Sequence, residues 1–510
     1  MDALTALVYQ FFKKRHKAID RYAENGDLIQ EKQLSYLLKS AMCTEWGRKY
    51  DFKSIRTYQD FASRLPVLQY DDAKACFMRM VKGEKDVLWR GQTKWFAKSS
   101  GTTSDKSKYI PVTDDVLTRC HYQGGFDTVS LYLRNNPASC FFSGKGLILG
   151  GSHSPSALNN SSRCGDLSAV LLQNLNPLVN KIRVPDKRII LMDEWESKIK
   201  AIVENTWNKP VNNLSGVPSW MLVLLKAILK YTGKDSLTEV WPDLEVFFHG
   251  GVSFVPYREQ YKALIPSDKM HYMETYNASE GFFGIQDDPA DHALLLMLDY
   301  GVFFEFIPMS EYGKENPKIV PAADVETGVN YAMVISTCGG LWRYVIGDTV
   351  RFTSKHPLKF FITGRVKHYI NAFGEELMVG NADQGLEMAC KATGAKVKEY
   401  TVAPLFLLDK AKGRHQWLIE FEEFPADLME FATILDQSLQ QLNSDYEAKR
   451  YKEISLQPLE VIPARSGVFY EWLHSKGKLG GQHKIPRLSN ERIYMDELLA
   501  LNDIEMKPSI

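Results

Sequence analysis

Apolar positions recur at helical spacing through the first ninety or so residues, as in Glu31–Met42 and Tyr58–Ser63, with Pro66 closing the second run. Beyond them the pattern changes to short apolar or alternating runs bounded by Gly, Pro or Asp: Gly146–Gly150, Arg188–Met192, Leu244–Phe248, Phe303–Ile307 and Tyr331–Ser336. Runs of that length and flanking read as strands. The stretches Trp195–Trp207 and Pro218–Thr232 lie between them and return to helical spacing. Strands alternating with helices predict an α/β class, with β-sheets covered by helices.

After Gly364-Arg365 the texture shifts again. Tyr400–Leu408 and Trp417–Phe421 read as strands, Ala426–Gln441 as a helix and Ser455–Ile462 as a further strand, the order of a compact α+β module. The chain of 510 residues exceeds what one core organises. It is therefore divided into a large domain, 1–365, and a smaller one, 366–510. No Pro/Gly/Ser-rich stretch separates them, which predicts a tight hinge in place of a loose tether.

Composition narrows the partners. Lys+Arg and Asp+Glu both number 62, so no overall field favours nucleic acid or an anionic membrane, and small molecules are the expected partners. The seven cysteines form no CxxC pair and no zinc spacing, which fits a reduced compartment. The N-terminus lacks the organisation of a secretory leader. Apolar runs at Trp220–Leu229 and Ala293–Ile307 are short and broken by Lys226, Asp299 and Glu305. A cytoplasmic protein is expected. Leu4, Leu7, Val8 and Phe11 fall on one helical face, read as packing on the body in preference to docking on a membrane surface.

The chemistry begins at Lys98–Pro111, KSSGTTSDKSKYIP, which carries six serine and threonine hydroxyls, Gly101 and the lysines Lys106 and Lys108. Hydroxyls and free backbone N–H groups donate at close range, glycine admits an anion to the main chain, and lysine neutralises charge. The run lacks Walker spacing, and by itself it equally describes a solvated loop. Gly250-Gly251 follows an apolar strand, and Tyr276-Asn-Ala-Ser-Glu280-Gly281 offers an aromatic face and a carboxylate suited to magnesium; a plain turn and a helix-capping acid are the alternatives. Gly347-Asp348 presents a carboxylate to ribose hydroxyls or forms an ordinary turn. Arg365 offers a planar fork of donors, and Lys484 sits in the glycine-flanked run Gly480–Arg487.

The order of these elements resembles the adenylate-forming superfamily of acyl ligases and, more narrowly, the Gretchen Hagen family of acyl-acid-amido synthetases of plants and their bacterial relatives. The residues that carry the resemblance are SSGTT at Ser99–Thr103, YNASEGFFG at Tyr276–Gly284, FFEFIP at Phe303–Pro308, RYVIGDTVRF at Arg343–Phe352 and QHKIPR at Gln482–Arg487. Two positions depart from the family pattern: Asp105 in the hydroxyl loop and the pair Asn277-Ala278 before Ser-Glu.

The resemblance implies an ATP- and Mg2+-dependent ligase in which a small C-terminal domain pivots near Lys367 or His368. It implies that Ser99, Ser100, Gly101, Thr102 and Thr103, with Lys108, grip the ATP phosphates, and that Gly250, Gly251, Tyr276 and Ser279 surround adenine and the α-phosphate. Glu280 would lie near the metal, Asp348 and Arg365 would hold the ribose, and Lys484 would bridge the acyl carboxylate and α-phosphate. Carboxylic acid and amino acid are the implied substrates. Arg119, on the helix after Pro111, either pairs with the acid's carboxylate or is a surface arginine. An acyl-CoA or aryl-CoA ligase and a nucleotide-binding sensor without turnover are the competing functions.

Overall fold

The computed structural model describes residues 1–99, 108–150, 156–192, 194–251, 254, 257–366, 369–370, 372–373, 375, 377–406, 413–450, 456–476 and 485–504. Its centre is a twelve-stranded sheet among those residues. One half is parallel: Arg183–Val184, Lys145–Ile148, Val211–Gly216, Val246–Gly250 and His271–Ala278 lie side by side in that order. The other half is antiparallel, from the hairpin His271–Ala278/Gly281–Ile285 through Leu294–Leu296, Leu358–Arg365, Tyr344–Lys355, Asn330–Thr337 and Val302–Pro308 to Val320–Pro321. Parallel strands need long crossovers, and the chain supplies them as the helices Leu167–Asn174, Trp195–Thr206 and Pro218–Thr232.

The N-terminal helices bury one face each. Tyr22–Ala41 turns Leu34, Leu37 and Leu38 inward. The first helix, Ala3–Asp20, packs on the body through Thr5, Phe12, His16 and Ile19, whereas Leu4, Leu7 and Phe11 stay exposed. The packing expectation therefore holds for the helix but not for the stripe on which it was based. Arg188–Met192 is also corrected: Lys187–Ile190 is a short helix, opened by the amides of Ile189 and Ile190 bonding back to the Asp186 carbonyl. A short apolar run carries no period that separates the two states.

Two motif segments turn out to be structural. Arg343 and Glu305 form a buried ion pair, 2.8 Å from Nη2 to Oε1, and Arg343 Nη1 also donates to the carbonyls of Ala62 and Leu65. Tyr58 donates to Glu305 from the same N-terminal helix. Both carboxylate and guanidinium are thus satisfied where an unpaired charge would be costly.

The C-terminal part contains the strands Lys396–Phe406, Gly413–Glu423 and Glu460–Ala464, with the helices Val379–Thr393, Leu428–Leu442, Val468–Ser475 and Ile493–Ile504. It has its own core around Tyr400, Trp417 and Leu435. The expected order of strands, helix and strand is present, with edges shifted by a few residues. Among the described residues, no helix is long and apolar enough to cross a membrane. All seven cysteines are free.

Candidate active site

Asp348 and Arg365 are directly opposite each other on neighbouring antiparallel strands, so sheet register brings together two motifs seventeen residues apart. Arg365 Nε donates to Asp348 Oδ1 at 2.7 Å, and Tyr276 Oη donates to Asp348 Oδ2 at 2.5 Å. Asp348 is the more shielded partner, with 15% of its side chain exposed against 41% for Arg365. Gly347, just before it, has φ 91°, a conformation that glycine adopts without strain. Tyr276 itself is buried.

Ser279 and Glu280 form the tight turn between His271–Ala278 and Gly281–Ile285, closed by the pair Ala278–Gly281. The capping-acid alternative is thereby replaced: Glu280 starts no helix. Burial raises its carboxyl above the usual range and Asp348 adds to the rise, while Arg365 and Lys108 pull the other way. A carboxylate so placed is short of positive charge. Gly250 is needed for a reason other than ligand access, since a Cβ there would lie 2.3 Å from the carbonyl oxygen of Thr275 on the adjacent strand.

A cavity of about 2410 Å3 runs past these groups. At one side it meets a second polar cluster, where His249 and Glu274 are neighbours across paired strands. Burial pushes the His249 imidazole down to about 3 and the Glu274 carboxyl up to about 7, the latter opposed by Arg258. Among the described residues, His249 Nδ1 and Tyr272 Oη are buried without a hydrogen-bond partner. In the other direction lies an apolar lobe between the sheet face, at Ile148 and Phe248, and helices bearing Tyr122, Phe126, Val129 and Leu171. At its neck His121 Nδ1 bonds with Asn277 Oδ1 at 2.9 Å. Burial lowers the His121 imidazole to about 4.

The C-terminal part closes one wall of the cavity. Arg487, from the QHKIPR segment, donates to Asp383 at 2.7 Å, stacks over Tyr400 and reaches the Tyr257 hydroxyl, beside the central sheet, at 3.4 Å. Lys226 pairs with Glu422 across the same boundary.

The structure thus brings together Gly250, Gly251, Tyr276, Ser279, Glu280, Asp348 and Arg365 around one cavity. Lys108 is placed next to it, at the start of the strand Lys108–Val112, its ammonium over the Tyr70 ring at 5.4 Å. Arg119 is elsewhere: it is 55% exposed, stacked on Tyr36 and 3.6 Å from Asp115, and it does not line the cavity. Ser100, Gly101, Thr102, Thr103, the side chain of Ser99, Lys367, His368 and Lys484 fall outside the described residues. The apolar lobe, Arg487 and the His249–Glu274 cluster were not singled out as site residues from sequence; of the lobe's lining, Ile148 and Phe248 lie in runs that the sequence marks as strands.

This sheet, with a second module over its parallel strand ends, has the fold of adenylate-forming ligases. It superposes on a structure titled GH3.15 acyl acid amido synthetase with a TM-score of 0.76 at 19% identity, covering 96% of this chain and 95% of that one. It matches 2-hydroxyisobutyryl-CoA ligase with a TM-score of 0.58 at 12% identity, covering 93% and 91%. In sequence it is 25% identical to indole-3-acetic acid-amido synthetase GH3.4 of Arabidopsis thaliana over 93% of this chain and 91% of that protein. It is 22% identical to the 4-substituted benzoates-glutamate ligase GH3.12 of the same plant, over 94% and 95%. Models of the GH3 family N-terminal, central and C-terminal domains match residues 15–270, 295–365 and 380–493. The chain belongs to the GH3 family.

Proposed function

We infer that this protein is an ATP-dependent acyl-acid-amido synthetase: it joins a carboxylic acid to AMP with release of pyrophosphate, then transfers the acyl group to the amine of an amino acid. The observation that carries this reading is one continuous cavity with a charged end, built on Asp348, Arg365, Tyr276 and Glu280, and an apolar lobe reached past the His121–Asn277 neck. Relatives that span nearly the whole chain are named as amido synthetases.

In the first half-reaction Asp348 and Arg365 hold the ribose hydroxyls, Tyr276 offers its ring to adenine while its hydroxyl fixes Asp348, and Ser279 donates to the α-phosphate. The hydroxyl loop at Ser99–Thr103 and Lys108 hold the outer phosphates. A carboxylate whose charge is under-compensated suits a hard cation, and one carboxylate with substrate phosphates is a common magnesium set; Glu280 is the residue that would hold it. The metal would neutralise phosphate charge. Lys484 brings the acid's carboxylate to the α-phosphate, so catalysis comes from positioning and charge in place of a protein nucleophile.

Residues 366–510 form the domain that moves between the half-reactions, pivoting near Lys367 or His368, with Arg487 and Glu422 making its contacts to the large domain in the closed arrangement. A cytoplasmic setting fits these soluble substrates. The test is acid-dependent pyrophosphate exchange screened over aromatic, indolic and aliphatic acids, followed by a panel of amino acids with the best acid. Exchange that needs an acid, and an amide product, support the reading; ATP binding without acid-dependent exchange would leave a nucleotide sensor.

A further inference from the structure

The apolar lobe ends at a buried cation that the two half-reactions do not use. Its floor is a row of register neighbours, Ile148, Ser215 and Phe248. One level further along the strands come Gly146 and Asn213, with Arg183 beside them on the edge strand Arg183–Val184. From Gly150, at the end nearer the nucleotide residues, to Gly146 is four residues of extended chain, about 13 Å.

Arg183 lines this cavity with only 6% of its surface exposed. Nε donates to Asn180 Oδ1 at 2.9 Å and Nη2 donates to the same oxygen, while Nη1 is buried with no hydrogen-bond partner among the described residues. Among the described residues no carboxylate forms an ion pair with it; Asp186, three residues along, acts on its charge only from a distance. A guanidinium keeps its charge at any ordinary pH, and a buried, incompletely bonded one is costly unless an anion completes it. Across the lobe, the walls at Tyr122, Phe126, Val129 and Leu171 offer nothing to a charged group. The arrangement is therefore apolar in the middle and cationic at its far end.

We propose that the acid taken by this lobe carries a second carboxylate at its distal end, received by Arg183, so that the substrate is a dicarboxylic acid activated at one end only. This rests on the reading that the lobe holds the acyl substrate. Nη1 is the donor left for that carboxylate, and a guanidinium N–H makes a short, charge-assisted hydrogen bond to such an oxygen. Asn213 sits at the same level; a Cβ on Gly146 would lie 2.6 Å from its Oδ1, so glycine keeps the end of the lobe open to that amide.

The experiment compares straight-chain monocarboxylic acids of increasing length with α,ω-dicarboxylic acids of equal carbon count in pyrophosphate exchange, using the full-length enzyme and Arg183→Gln and Arg183→Lys. Diacids of matching length should be preferred by kcat/KM about a hundredfold, Arg183→Gln should erase that preference chiefly through KM of the diacid, and Arg183→Lys should restore part of it. Monoacids used as well as diacids by the parent, or equal damage to both classes in Arg183→Gln, would overturn the proposal. If Arg183→Gln fails to fold by circular dichroism, the parent's preference decides alone. Calorimetric binding of the diacids without ATP separates this proposal from the function itself: binding lost in Arg183→Gln supports the distal site even where no acid drives exchange, and binding unchanged by the substitution contradicts it.

Discussion

At the charged end of the cleft, Tyr276, Glu280, Asp348 and Arg365 come from tight antiparallel hairpins, and each sits in a motif that is short and contiguous in sequence. The apolar lobe is assembled the other way. Phe12, Tyr122, Phe126, Ile148, Leu171 and Phe248 come from helices and parallel strands spread over more than two hundred residues, and only the crossover topology makes them neighbours. Charge chemistry that depends on angle and distance is written locally; an apolar volume is written in the way layers stack. The first end should therefore respond to single charge removals, and the second to changes of shape.

The largest effect is expected for Lys484→Ala. Removing a preorganised charge where two anions must meet typically costs on the order of 3–4 kcal/mol, a hundred- to a thousandfold in rate. Exchange should be lost while amide still forms at near-parental rate from synthetic acyl-adenylate and amino acid. Single-turnover rates for each half-reaction check this, and equal damage to both halves would make Lys484 structural.

Asp348→Ala should weaken ATP binding by roughly ten- to a hundredfold, and more than Arg365→Ala does, because Asp348 accepts from both Arg365 and Tyr276. Calorimetry decides; unchanged affinity in both variants removes them from the ribose site. Glu280→Gln should retain metal-free ATP binding and lose the Mg2+ dependence of exchange. Because the Glu280 carboxyl titrates above its usual range, Mg2+-dependent exchange in the parent should weaken as pH falls through that raised value, and Glu280→Gln should not show this fall.

At the other end, Gly125 lines the lobe and a Cβ added there meets nothing within 4 Å. Gly125→Leu should fold, fill the lobe and raise KM for the bulkiest accepted acid about tenfold with ATP affinity unchanged. A matching rise in the KM for ATP would show that the two ends are not separable.

The smallest effect concerns Glu274. Its folded carboxyl titrates near 7, above the ordinary value of 4.5, so its contribution to stability is complete below about 4.5 and is lost as pH rises through 7. Glu274→Gln should flatten that part of the Tm–pH profile by about a few degrees, measured by thermal melts across this range.

This difference also explains what could be read in advance. The α/β class, the strand and helix order of the C-terminal module and the residues that gather at the charged end of the cleft were legible because strand alternation and Gly-Asp, Gly-Arg and Ser-Glu turns are local patterns. Arg188–Met192 was misread because a short apolar run fits helix and strand equally until Asp186 is seen accepting at its start. Gly250 was visible, but its reason was not: the carbonyl of Thr275 belongs to a neighbouring strand twenty-five residues away. Arg119 drew notice as a cation on the helix after Pro111, yet Tyr36 and Asp115 hold it on the surface. Arg183, in contrast, has no flanking pattern; its meaning comes from the edge position of a two-residue strand and from the hydrogen bond that it lacks.

The central claim is that one cleft activates an acid and then delivers it to an amine. Enzyme loaded with ATP and its best acid, freed of excess substrates, is mixed with an amino acid or with coenzyme A and the acyl product is identified by mass. The account predicts an amide from the amino acid and no thioester. Thioester formation without amide, or acid and AMP that never become joined, would contradict it.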